Sequence, residues 1–228
     1  MASELSSNGH ALGAEILYRK TPLPSWRTLT PRALHKTLLA TTAGANLPDR
    51  RATAKMAQFE RSLLQYDSKA LQAAFPIAPA LRTHLRKSAK SSVESNHYNV
   101  PHHPALSSLQ TKWVGCHTAP PHVDAGFIGK RFITLVIEAD HVLFEVQSVN
   151  KCRRIHLEGG ELFVFDPLKL HWLEQQVRNS KALFFTLQWE VMTDAVPEAF
   201  AMIRDALSGI AALQGKVKTP AYEISDIL

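Results

Sequence analysis

Arg131-Phe132-Ile133-Thr134-Leu135-Val136-Ile137-Glu138-Ala139-Asp140-His141-Val142-Leu143-Phe144-Glu145-Val146 is the most strand-like stretch of this 228-residue chain. β-branched and aromatic residues crowd it, and such side chains fit a pleated, half-buried surface better than a helix. The pattern predicts a strand over Arg131 to Ala139, a tight turn at Asp140-His141 and a second strand over Val142 to Val146. Working outward, Lys112 to Cys116, Arg153 to Leu157, Leu162 to Phe165 and Ala182 to Trp189 read the same way, with Gly159-Gly160 serving a turn. Six to eight short strands with no long helix between them suit a double-stranded β-helix, the jelly-roll barrel. The expected fold class is α+β, mainly β.

The flanks read differently. Residues 1–30 are polar and proline-broken, and helices are expected over Ala33 to Thr41, Arg51 to Tyr66 and Ser68 to Lys87, the last interrupted by Pro76 and Pro79. Residues 88–112 read as a loop, Ser-rich first and then carrying His97, His102 and His103. Pro101 and Pro104 keep its backbone irregular, so it is expected to border a site rather than to ligate a metal. A C-terminal helix is expected from Pro197 to about Leu213, because Phe200, Ile203, Leu207 and Ile210 recur every three or four residues behind a first-turn proline. The simplest division is 1–111, an irregular N-terminus with supporting helices, and 112–228, a barrel core with its C-terminal helix, the two forming one structural unit.

Within the strand-rich half, Pro120-Pro121-His122-Val123-Asp124 and Leu170-His171-Trp172 hold the residues with chemistry to offer. His122 and Asp124 are two apart, so on a strand both side chains leave the same face. His171 follows Asp124 by 47 positions and returns from another strand. Two imidazoles and one carboxylate can occupy one face of an octahedral metal and leave the other face open to substrate and oxygen. Among eleven histidines a chance His-x-Asp pair is an ordinary event. The turn and strand of Gly159 to Pro167, which lead into His171, give the pair its context.

From Cys116 to Glu190 the pattern resembles the iron(II)- and 2-oxoglutarate-dependent dioxygenases, nearest to the prolyl-hydroxylase branch. The resemblance implies Fe(II) held by His122, Asp124 and His171, with 2-oxoglutarate and O2 as co-substrates and succinate and CO2 as products. A carboxylate ligand at Asp124 implies hydroxylation or oxidative demethylation rather than halogenation. The family places a Lys or Arg about ten positions after the distal histidine to hold the far carboxylate of 2-oxoglutarate, which implies Lys181, with Arg178 as the rival. Were both on one strand, an offset of three would send them to opposite faces. Leu183, Phe185 and Leu187 would then line the barrel around that cation. No Tyr stands on the strand after the metal turn, where relatives often have one, so Thr134 or Tyr98 would take its part. Arg131 would meet substrate or sit at the rim.

Charge and composition bound the rest. Residues 1–112 hold 15 Lys and Arg against 6 Asp and Glu, while 113–228 hold 11 against 14. The basic first half could steer an anionic substrate, or nucleic acid, toward the site. No Lys/Arg run with interleaved aromatics supports nucleic acid. Cys116 and Cys152 show neither CxxC spacing nor a disulfide framework, and Met1 to Leu12 is polar with no apolar leader core. A cytoplasmic setting is expected, with no membrane partner, since the apolar run Phe132 to Ile137 is far too short to span a bilayer. Two other classes compete: a cupin-like metal protein, although His122-Val123-Asp124 departs from the usual His-x-His with Glu, and a metal-free regulatory barrel whose basic N-terminal half contacts nucleic acid.

Overall fold

The computed structural model describes residues 63–80, 82–83, 94–96, 111–148, 151–177, 180–210, 215–218 and 222–226. The expected irregular segment 1–30, the helix Ala33 to Thr41, most of the helix Arg51 to Tyr66, the loop containing Tyr98, and Arg178 lie outside them.

Eight strands carry the architecture: β3 (Thr111–Cys116), β4 (Ala119–His122), β5 (Lys130–Glu138), β6 (Asp140–Ser148), β7 (Lys151–Glu158), β8 (Glu161–Phe165), β9 (His171–Gln175) and β10 (Phe184–Met192). They divide between two antiparallel sheets, one containing the order β8-β5-β10-β3 and the other β7-β6-β9-β4. Successive strands cross between the sheets or pair as hairpins so that β3 to β10 wind into a closed jelly roll, the double-stranded β-helix expected from the strand count. Short strands extend the larger sheet at both edges, β1 (Leu63–Gln65) with β11 (Lys216–Lys218) and β2 (Glu94–Asn96), while β12 (Tyr222–Asp226) extends the smaller one.

Several local expectations change. Asp140 and His141 are not a turn but the first residues of β6, paired with Glu158 and Leu157. β5 and β6 belong to opposite sheets, so the chain switches sheets at Ala139 instead of folding back as a hairpin. Leu63–Gln65 leaves the expected helix because Leu64 pairs with Leu162 on one side and Val217 on the other, a tertiary pairing that overrides local periodicity. The next helix, α1 (Ser68–Ala74), starts on an Asp67 side chain that accepts from the Ala70 N–H at 2.7 Å and stops at Phe75, ahead of Pro76. Glu94–Asn96 is a strand within the expected loop. His171 opens a strand of its own, β9.

The larger sheet has two apolar faces. Trp113, Ile133, Leu135, Leu183, Phe185 and Leu187 point outward, to be covered by α1 and by α2 (Val196–Gly209), whose Phe200, Ile203 and Leu207 repeat at helical spacing. Burying each such side chain contributes about 1.5–3 kcal/mol. The helix ends at Gly209 rather than Leu213, because Ile210 is extended. The opposite face, with Cys116, Phe132, Val136, Phe165 and Phe184, fills the barrel together with Leu143 and Leu173 of the smaller sheet. Leu183, Phe185 and Leu187 therefore lie outside the barrel that they were expected to line.

Candidate metal centre

The site sits at one end of the barrel, where an edge strand and its neighbour meet. β4 is an edge strand, so Pro120 and Pro121 cost the sheet no hydrogen bond that a central strand would need. It pairs with β9 so that His122 lies opposite His171. Asp124 lies just past the strand, at the start of a 3-10 turn over Ala125–Phe127. The two-residue spacing brings His122 and Asp124 together even though only the histidine is in the strand.

His122 Nε2 stands 3.6 Å from Asp124 Oδ1, and His171 Nε2 stands 3.7 Å from Asp124 Oδ2. The imidazole centroids are 4.2 Å apart, and all three donor atoms fall within 4.8 Å of one another. These separations are too long for hydrogen bonds and short enough for one cation to lie between the donors.

The backbone sets each imidazole. His122 Nδ1 lies 2.6 Å from the Pro120 carbonyl and His171 Nδ1 lies 2.7 Å from the Lys169 carbonyl. A carbonyl only accepts, so each Nδ1 carries a proton, and each Nε2 is the ring nitrogen turned toward Asp124. That is the arrangement in which a histidine binds metal while a second group holds its ring. Burial, and then the neighbouring His122, push the His171 imidazole well below its usual pKa, against the Lys169 carbonyl, so it stays neutral. Burial pushes the Asp124 carboxyl up, His122 opposes this, and Glu190 adds to it. A cation among the three would relieve the strain on the carboxylate. Two imidazole nitrogens and a carboxylate oxygen, all lining one cavity, fit a divalent first-row transition metal.

The loop between β8 and β9 braces this centre. Arg131 is fully buried and faces Asp166, with Nη2 3.2 Å from Oδ2. It does not sit at the rim or face the substrate space as expected. Asp166 Oδ1 accepts from the Leu168 N–H at 3.0 Å, and the next residue, Pro167, accepts from the Asp124 N–H at 2.9 Å. Lys169 supplies the carbonyl that orients His171, while its ammonium reaches the buried Glu145 carboxylate at 2.8 Å. Phe165 packs edge-on to His171 at 4.6 Å.

The three ligand candidates and Thr134 all line one cavity of about 900 Å³, its open mouth included. Its wall is largely aromatic and aliphatic, with a polar strip formed by Lys112, Thr134, Gln188 and Glu190. Lys181 is not brought to this wall. It is exposed and precedes β10 by three residues. Lys112, Gln188 and Glu190 were missed in the sequence. The signal was there in Thr186-x-Gln188-x-Glu190, an every-second-residue polar alternation inside an apolar strand.

No family model and no curated protein matches the chain. Among solved structures, the chain is similar to the alpha ketoglutarate dependent epimerase SnoN from nogalamycin biosynthesis, with a TM-score of 0.37 and 10% identity over 63% of this chain and 84% of that one. AviO1 from Streptomyces viridochromogenes gives a TM-score of 0.37 and 12% identity over 64% of this chain and 96% of that one. A variant of the salicylate 1,2-dioxygenase from Pseudoaminobacter salicylatoxidans gives 0.25 and 14%, with 48% of this chain covering only 26% of that one. The fold itself rests on the strand order. Fold and site together define a jelly-roll barrel with a cluster of two histidines and one aspartate at one end of its interior cavity.

Proposed function

We propose that this chain is a mononuclear iron(II) oxygenase that takes 2-oxoglutarate as co-substrate and hydroxylates or demethylates a small substrate. The observation that carries the reading is the convergence of His122 Nε2, His171 Nε2 and the Asp124 carboxylate, with both Nδ1 atoms already held by carbonyls. Ferrous iron held there would supply dioxygen activation coupled to decarboxylation of the 2-oxo acid to succinate and CO2.

The chain's own part is positional. His122 and Asp124 on one side and His171 on the other leave the cavity-facing side of the site open. Phe127, Phe132 and Phe165 wall it with apolar surface that excludes water and favours a substrate with an aromatic or branched aliphatic body. Anaerobic addition of Fe(II) and 2-oxoglutarate tests the reading through the visible charge-transfer absorption of the complex. The wild-type chain should develop the band, and Asp124→Ala should abolish it.

A second reading, a metal oxygenase of the same fold that uses no 2-oxo acid, is favoured by the exposed position of Lys181. It predicts metal uptake without that band. A protein that takes up no metal would fit neither reading.

A further inference from the structure

Three side chains on the cavity wall lie in one cross-strand row. Lys112 on β3 is directly opposite Gln188 on β10, and Gln188 is directly opposite Thr134 on β5. All three face the cavity. Residues in register on neighbouring strands have Cβ atoms about 5 Å apart, so an ammonium, an amide and a hydroxyl share one tier.

The next tier along the strands contains Glu190 and Phe132, also opposite one another, and Phe165, which packs against His171. Two residues along a strand cover about 7 Å, which is the step from the metal tier down to the Lys112 tier.

The bonding in the row is incomplete. Among the described residues, neither the Gln188 amide nor the Thr134 hydroxyl is hydrogen bonded to a protein group, although Thr134 is only 5% exposed. Buried polar groups are ordinarily partnered, so the buried Thr134 hydroxyl and the half-buried Gln188 amide, both facing the cavity without a protein partner, mark a place where something else bonds. Lys112 is ion-paired with Glu190, which Lys130 also reaches at 3.5 Å. Glu190 is thus an internal carboxylate seated on the cation of the row.

We infer that Lys112, Gln188 and Thr134 form the carboxylate-binding tier of the cavity, and that an incoming ligand carboxylate takes the place of Glu190 on Lys112. An ammonium, an amide N–H and a hydroxyl together satisfy the acceptor sites of one carboxylate, with its charge matched by Lys112. The released Glu190 keeps Lys130 as its partner. The assignment replaces Lys181, which lies outside the wall. It rests on the proposed oxygenase reading only for what the carboxylate belongs to. The far end of 2-oxoglutarate and the acid group of an oxidised substrate present the same chemistry.

The test uses the full chain loaded anaerobically with Co(II), probed calorimetrically with 2-oxoglutarate and separately with 3-phenylpropionate. Lys112→Met should weaken the carboxylate that binds by roughly 10- to 100-fold, the loss of one charge-assisted contact, with Co(II) affinity unchanged. Gln188→Leu and Thr134→Val should each weaken it by a smaller factor of about 5. Glu190→Gln should tighten it, an outcome that a merely structural role for the Lys112 pair does not give, and Lys181→Met should leave it unchanged. Lys112-dependent binding of 2-oxoglutarate assigns the tier to the co-substrate. Lys112-dependent binding of 3-phenylpropionate alone assigns it to the substrate. If neither acid binds, or if Lys112→Met binds as the wild type does, the inference is overturned. A wild-type chain that takes up no Co(II) defeats the metal reading instead. The tier is then read on the metal-free chain, where either acid should move the Gln188 side-chain amide resonance saturably, and an unmoved resonance overturns it.

Discussion

Replacing Asp166 by Ala should damage the fold and the metal site together, because one carboxylate serves both. Arg131 has no solvent exposure and the Asp166 side chain only 5%, so the substitution removes one partner of a buried ion pair. Such removals cost about 3–5 kcal/mol. Arg131 Nη1 keeps the Lys130 carbonyl at 2.9 Å and the Thr193 hydroxyl at 3.4 Å, which sets the expectation near the lower end of that range. The Leu168 N–H also loses its acceptor, worth about 1 kcal/mol, for a total near 4 kcal/mol. The 166–170 loop carries the carbonyls that hold the Asp124 backbone and the His171 ring, so divalent metal affinity should fall by about 10- to 100-fold. Urea unfolding of the metal-free variant and Co(II) titration read the two effects separately. The double variant Arg131→Met with Asp166→Leu should recover most of the stability, since an apolar pair can replace a buried ionic one. It should not recover metal affinity, because the Leu168 turn stays broken. A single variant within about 1 kcal/mol of wild type, or one that binds Co(II) normally, would refute the bracing argument.

Gly160→Ala should destabilise by more than 2 kcal/mol by urea unfolding, because Gly160 has φ +100° and a Cβ there would lie 2.2 Å from the Tyr66 carbonyl oxygen; the backbone conformation alone costs a residue with a Cβ about 1–2 kcal/mol. Metal-free stability should decline as pH falls below about 6.5, the unfolded histidine value, by up to about 1.4 kcal/mol per pH unit for each of two buried imidazoles. Burial lowers the His141 imidazole, against its contact with the His117 carbonyl, and His171 is lowered further, so the unfolded chain takes up protons before the folded one does. His141→Gln should reduce that slope, and a flat wild-type profile between pH 7.5 and 5.5 would contradict it. Burial alone would raise the Glu145 carboxyl, yet Lys169 and Arg153 together hold it below the ordinary value; its stabilisation is complete above about pH 4.3 and is lost as pH falls through the depressed folded value. Cys116, buried and with its thiol pushed up to about 12, should react with a thiol reagent only as fast as the barrel opens, measured by pulsed labelling in native buffer.

The barrel was legible because its strands are short, β-branched and separated by turn residues, as Phe132 to Ile137 and Gly159-Gly160 show. The convergence of His122, Asp124 and His171 was legible because a His-x-Asp pair needs no long-range information beyond one returning histidine. Long-range pairing decided what was missed. Leu63–Gln65 and Glu94–Asn96 are strands only because β8, β11 and β3 offer them edges. The inside and outside of β10 were exchanged for the same reason. Leu183, Phe185 and Leu187 look like an interior lining until α1 and α2 are known to cover the outer face, after which Gln188 and Glu190 must face the cavity. Lys112 could not be found by spacing from His171, because it reaches the site from β3, at the other end of the core sequence.

Co(II) titration of the metal-free chain, followed through the ligand-field absorption of the ion, reads the three-residue centre without requiring turnover, substrate or oxygen. One ion per chain should bind, and His122→Ala, Asp124→Ala and His171→Ala should each weaken or abolish it while the far-ultraviolet circular dichroism of the barrel stays unchanged. A wild-type chain that binds no Co(II), or binding that survives all three substitutions, would contradict the metal centre on which the proposed oxygenase depends.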